Sequence, residues 1–174
     1  MLFANGLAGN REITQEGDDY EAFREALALL TKNLARRMAA DGEGATKLIE
    51  TKVIHADTLE NARIFAKSVI TSSLTKAAVF GRDANWGRIL CALGYSGAQF
   101  DPENCDLYFG EGEDKMLIFT NGSAADYSEE RAKELLSGEK VSILADMHMG
   151  DAEATAWGCD LSYDYVKINA DYRS

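Results

Sequence analysis

Apolar residues recur at steps of three and four from position 20 to 38, at Tyr20, Phe23, Leu27, Leu30, Leu34 and Met38. That spacing lays one apolar stripe along a helix, and such a stripe is expected to be buried. Asp18, Asp19 and Glu21 stand at its start and Arg36 and Arg37 at its end, each favourable to the helix dipole. Gly42 is the predicted stop. Residues 47–55 (KLIETKVIH) are rich in β-branched types and predict a strand. Asp57 with Glu60 then reads as a capping box, and Leu59, Ala62, Phe65 and Val69 as the buried stripe of a second helix. A short helix is predicted from Asp83 through Trp86, Ile89 and Leu90 to Gly94.

Residues 105–109 and 116–119 predict two strands joined across the glycine- and acid-rich turn at 110–114. Ser128 opens a short helix that Gly138 ends. Strict alternation follows twice, the mark of half-buried strands. It runs first through Val141, Ile143, Ala145, Met147 and Met149, then through Trp157, Cys159, Leu161, Tyr163 and Tyr165. Helices and strands interleave, so the fold class is a layered, mixed α/β domain. With one proline (Pro102), no repeat and no Pro/Ser-rich linker, residues 1–174 are expected to form a single unit.

Charge narrows the function. The 174 residues hold 18 Lys and Arg against 29 Asp and Glu, a formal charge of −11. A chain this acidic, with no basic stripe, is repelled by phosphate backbones, so nucleic acid is not an expected partner. No run nears the ~18 apolar residues of a membrane helix. The opening MLFANGLAGNRE lacks the basic and apolar regions of a secretory signal. Cys91, Cys105 and Cys159 form no CxxC pair, which excludes a zinc-finger pattern and points to a reducing, cytoplasmic setting.

The candidate chemistry is sparse. Asp41 to Lys47 (DGEGATK) resembles a phosphate loop, but Lys47 stands where a third glycine belongs and a strand follows instead of a helix. Its oxygen ligands are too few for a calcium loop. What it offers is Glu43 between Gly42 and Gly44, a carboxylate that a ligand can approach closely. Such a group suits an ammonium partner; a solvated acid in a turn is the simpler alternative. In Asp83-Ala84-Asn85-Trp86-Gly87-Arg88, Asp83 is expected to cap a helix and Arg88 to hold a carboxylate or pair with a surplus acid. Cys91 is expected to be a buried structural thiol. His55 and His148 are the only histidines, and Asp151 and Glu153 make no familiar metal spacing with His148, so no metal ligands are assigned. Thr46 and Thr155 each follow an alanine but carry no free amine, so both are expected to be structural.

Four stretches resemble the ornithine acetyltransferase (glutamate N-acetyltransferase) family of bifunctional arginine-biosynthesis proteins: FANGLAGN (3–10), DGEGATKLIE (41–50), AVFGRDANWGRILCALGYSG (78–97) and EATAWGCDLSYDYVKINADYRS (153–174). The family's Asp-Pro-Asn-Trp-Gly-Arg has Ala84 in place of proline, which changes turn rigidity more than chemistry. The resemblance implies an N-terminal-nucleophile-like fold, present here in part, as the C-terminal portion of a β chain released by self-cleavage at an Ala-Thr bond. It further implies a threonine nucleophile on a preceding segment, so no catalytic residue is expected in this chain. The reaction implied by the resemblance passes acetyl from N2-acetylornithine to glutamate through an acyl-enzyme in ping-pong fashion.

By the same resemblance, Glu43, Asn169 and Ser174 bind substrate. No cofactor is implied, and acetyl-CoA would enter only as an acetyl donor. The implied partners are the α chain of the same precursor, in a paired αβ assembly, and the two amino-acid substrates. A chain that folds, assembles or binds amino acids yet is inactive alone is the alternative.

Overall fold

The structure is a computed structural model and describes residues 2–172. The helix read from the three-four spacing is present as α1 (Asp18–Ala40), with Asp18, Asp19 and Glu21 in its first turn and Arg37 in its last. Its apolar stripe is not buried: Phe23 is 56% exposed and Met38 77%, and no residue of the helix is fully covered. Periodicity decides which residues share a face, whereas burial requires a surface to pack against. Internal contacts divide the chain between Ala35 and Arg36 into two compact units. In the first, residues 2–17 hold turns, bends and irregular chain ahead of the helix.

The second unit is built on a six-stranded sheet. Its strands are β1 (Leu48–Ala56), β2 (Asp106–Phe109), β3 (Met116–Thr120), β4 (Ser123–Ala124), β5 (Lys140–Asp146) and β6 (Ala152–Cys159), in the order β4-β3-β2-β5-β1-β6. β1 and β5 are parallel, with Leu48 opposite Lys140 and Ile54 opposite Asp146. Every other pairing is antiparallel. Helices are α2 (Leu59–Thr71), α3 (Ser73–Gly81), α4 (Trp86–Gly94), α5 (Glu129–Leu135) and α6 (Tyr163–Asp171). The layered, mixed α/β expectation is met.

Alternation in β1 sends Ile49, Thr51 and Val53 to the buried face, and in β5 Val141, Ile143 and Ala145. α2 packs across β1 and β6, burying Ala62, Phe65, Ala66 and Val69. Trp86 of α4 stacks on Phe119 of β3 with ring centroids 5.0 Å apart.

Several boundaries differ from expectation for local reasons. The cap of α2 is Thr58, whose hydroxyl accepts from the Asn61 N–H at 3.1 Å; Asp57 instead accepts from the Asn61 side chain, and Leu59 is exposed. Asn85 caps α4, its Oδ1 accepting from the Arg88 N–H at 3.1 Å, while Asp83 accepts from the Asn85 amide. α3, capped by Ser72, has no predicted counterpart. β5 ends at Asp146, since His148 turns to a positive φ of 50° and leaves the strand. The last predicted strand stops at Cys159, so that Tyr163 and Tyr165 lie on α6 behind the cap Ser162.

The sheet face opposite α2 carries a charged cluster. Glu50 accepts from Trp157 Nε1 at 2.6 Å and pairs with Lys140 at 2.7 Å, and Lys140 also reaches Glu111 at 2.9 Å. Burial pushes the Glu50 carboxyl upward, but hydrogen bonds from Lys140 and Trp157 outweigh it and hold it below its ordinary value. Folding therefore favours the ionised form. Its stabilisation is complete above the unfolded carboxyl pKa of about 4.3 and fades as pH falls through the lower folded value. In urea titrations, wild type should exceed Glu50→Gln in stability at neutral pH and lose that margin below about pH 4. A margin that persists undiminished into stronger acid would contradict the assignment.

Candidate functional site

The segment before β1 is fixed in place by the turn between β6 and α6. Asp160, only 2% exposed, accepts from the Thr46 N–H at 2.8 Å, the Lys47 N–H at 2.9 Å and the Thr46 hydroxyl. The Ser162 hydroxyl both donates to the Gly44 carbonyl and accepts from Tyr165 N–H. Gly44 takes φ +69°, and a Cβ there would lie 2.6 Å from Tyr165 N, so the start of α6 can close on this loop only where no side chain intervenes. Lys47 is buried too, its Nζ donating to the Val79 carbonyl at 2.7 Å. Burial lowers its pKa, helped by Arg82 and opposed by Asp160.

This clamp delivers two residues expected to bind substrate to one place. Asn169, on α6, donates its side-chain Nδ2 to Glu43 Oε2 at 2.9 Å and to the Tyr165 carbonyl at 2.9 Å. The two residues are 126 positions apart in sequence. Both are solvent-exposed, so the carboxylate is open to a ligand. Held on Nδ2, the Asn169 amide leaves its carbonyl as a further acceptor beside the carboxylate. Two acceptors at one spot suit a cationic, hydrogen-bond-donating ligand. Ser174 lies outside the described residues.

Other expectations divide. The Arg88 guanidinium donates to the Leu74 carbonyl at 3.0 Å, bracing α4 against α3 instead of meeting a carboxylate. Cys91 is exposed, contrary to expectation, and lines an open groove of about 500 Å³ with Trp86, Leu90 and Phe100; it faces outward from α4 while Ile89, Ala92 and Leu93 take the buried side. Cys105 is the buried thiol, pushed by burial, Asp106 and Asp101 to about 12 and so kept protonated. Thr46 serves the Asp160 clamp, and Thr155 lies within β6 opposite Lys52.

Sequence reasoning missed Asp160 and Ser162. Ser162, which falls inside the apolar alternation and is followed by Tyr-Asp-Tyr-Val-Lys, is a residue type that caps helices. Nothing local marks Asp160 as an acceptor for residues more than a hundred positions away.

A mixed α/β domain with a glycine-flanked carboxylate under a C-terminal helix defines the class, and comparison with known proteins defines the family. A family model described as the ArgJ family matches residues 1–174, and the chain belongs to that family. The chain is 52% identical over all 174 residues to arginine biosynthesis bifunctional protein ArgJ 1 of Clostridium acetobutylicum, covering 43% of that protein. It is likewise 52% identical over 174 residues to the ArgJ of Symbiobacterium thermophilum, covering 42% of it. The crystal structure of Bacillus halodurans ArgJ superposes with a TM-score of 0.88 at 43% identity, over 96% of this chain and 77% of that one. The chain thus spans less than half the length of these curated relatives. The family and fold expected from the sequence motifs are both met.

Proposed function

We propose that this chain supplies the amino-acid-binding part of an ornithine acetyltransferase acting in arginine biosynthesis. The observation that carries the reading is the Glu43–Asn169 hydrogen bond, which joins the glycine-flanked carboxylate to the C-terminal helix in a member of the ArgJ family. Glu43 accepts hydrogen bonds from an amino group of the ornithine or glutamate skeleton. Asn169 positions that carboxylate and offers its own carbonyl alongside, and Ser174 adds a hydroxyl from the end of the chain.

The remaining chemistry belongs to the rest of the enzyme. A threonine at a new N-terminus, on a segment preceding this chain, attacks the acetyl carbonyl of N2-acetylornithine. Its own α-amine takes the hydroxyl proton, and that proton leaves with ornithine. The amine of glutamate then attacks the acetyl-threonine ester, forming N-acetylglutamate and restoring the hydroxyl. An oxyanion hole whose donors lie in the α chain stabilises both tetrahedral oxyanions. No cofactor enters the cycle, and acetyl-CoA serves only as an alternative donor. The partners are the α chain, in a paired αβ assembly, and the two amino acids; the setting is the cytoplasm.

An acetyl-transfer assay tests this directly. The complete αβ enzyme containing this chain should move acetyl from N2-acetylornithine to glutamate, and the 174-residue chain alone should not. Turnover by the isolated chain would refute a nucleophile located elsewhere. Failure of the complete enzyme would leave the non-catalytic binding or assembly reading in its place.

A further inference from the structure

At the opposite end of β1 from Glu43, the only two histidines of the chain converge on one carboxylate. His55 Nδ1 lies 2.8 Å from Asp146 Oδ1, and His148 Nδ1 lies 3.3 Å from the same oxygen. One ligand atom from each of the three residues falls within 4.8 Å of the others. The far nitrogen of His148, Nε2, is 3.0 Å from Asp106 Oδ2. The strands dictate this meeting. Parallel pairing sets Ile54 opposite Asp146, and antiparallel pairing sets Asp106 opposite Asp146, so the ends of β1, β2 and β5 coincide.

Both histidines depart from regular strand geometry. His55 (φ +54°) and His148 (φ +50°) both adopt the left-handed conformation, uncommon for residues other than glycine. His55 sits where the β1–β6 register shifts between Val53 and Ala56, the kind of irregularity that redirects a side chain. The Met149 and Gly150 N–H groups then lock onto the His55 carbonyl at 2.7 and 2.9 Å. Strain of this kind, at two histidines facing one carboxylate, is the sort stored at binding sites.

We propose that His55, Asp146 and His148 bind a divalent transition-metal ion of the zinc class. The three ligands would be the two Nδ1 atoms and a carboxylate oxygen, with solvent completing the shell. Two imidazoles and a carboxylate suit zinc and its neighbours, and three protein ligands leave one tetrahedral position open. Donors about 2.0–2.1 Å from a tetrahedral ion stand roughly 3.3 Å apart, close to the spacing already present between His148 and Asp146. Asp106 accepts from His148 Nε2–H, which fixes the tautomer that turns the Nδ1 lone pair toward the ion. The half-exposed His55 leaves the site open to solvent.

The test is a titration of the 174-residue chain, stripped with chelator, with Zn²⁺, read by calorimetry and by imidazole NMR. With two histidines in the chain, both sets of ring resonances should shift together at one equivalent. Co²⁺ should give the intense visible absorption of a tetrahedral site and be displaced by Zn²⁺. Asp106→Asn should weaken binding by about 10–100-fold, and His55→Ala or His148→Ala by more. Imidazole resonances that stay unmoved in excess Zn²⁺, or calorimetric binding unaltered by His55→Ala, would overturn the assignment. The wild-type NMR readout decides the matter even where a variant fails to fold.

Discussion

Asp160→Ala should lower the unfolding free energy by about 3 kcal/mol, because it removes a charged acceptor from two backbone N–H groups at once. The Lys47 N–H stays buried with no replacement partner, since β1 begins one residue later and the Asp160 carboxylate is enclosed. The Thr46 hydroxyl loses its partner as well, and the buried Lys47 ammonium loses the negative charge that offsets its burial. Asp160→Asn keeps one acceptor oxygen and should cost about half as much. Urea unfolding of the three proteins measures this. A loss under about 1 kcal/mol for the alanine variant would mean that the loop carrying Glu43 is held by something else.

That clamp also explains what the sequence could and could not disclose. β1 was legible from its β-branched residues, β5 from alternation and α2 from three-four spacing, although Leu59 of that predicted stripe is exposed. α3 (SLTKAAVFG) was not, since a nine-residue stretch rich in small residues lacks a distinctive period. Alternation continued from β6 predicts strand through Tyr163 and Tyr165, but the Asp160 turn and the Ser162 cap override it and place both on α6. Cys91 illustrates the same limit on a helix, where apolar neighbours on both sides did not reveal which face it shares.

The candidate site was legible in two different ways. Glu43 drew attention through its flanking glycines, whereas Asn169 entered only through resemblance to a family. Their contact spans 126 positions, and no local pattern encodes it. The histidine cluster was invisible for a related reason. The acids that follow His148, Asp151 and Glu153, are not its partners; Asp146, two residues before it, and Asp106, brought from β2 by sheet register, are.

The second large effect concerns Glu43→Gln in the complete αβ enzyme. Glutamine keeps an oxygen to accept from Asn169, and the residue is exposed, so stability should scarcely change. What disappears is the negative charge. A charge-assisted hydrogen bond to a substrate ammonium contributes about 2–3 kcal/mol, which corresponds to a loss of roughly 30- to 150-fold in kcat/KM. In the proposed role the contact is made to bound substrate as well as to the transition state, so the loss should fall mainly on KM. Asn169→Ala should weaken the same parameter less, since it frees the carboxylate without removing it.

The decisive measurement is therefore kcat/KM for N2-acetylornithine in the wild-type and Glu43→Gln enzymes, made alongside their unfolding curves. A fall of that size with KM raised and unfolding unchanged is the expected result. Equal kcat/KM values would show that this carboxylate never meets the substrate.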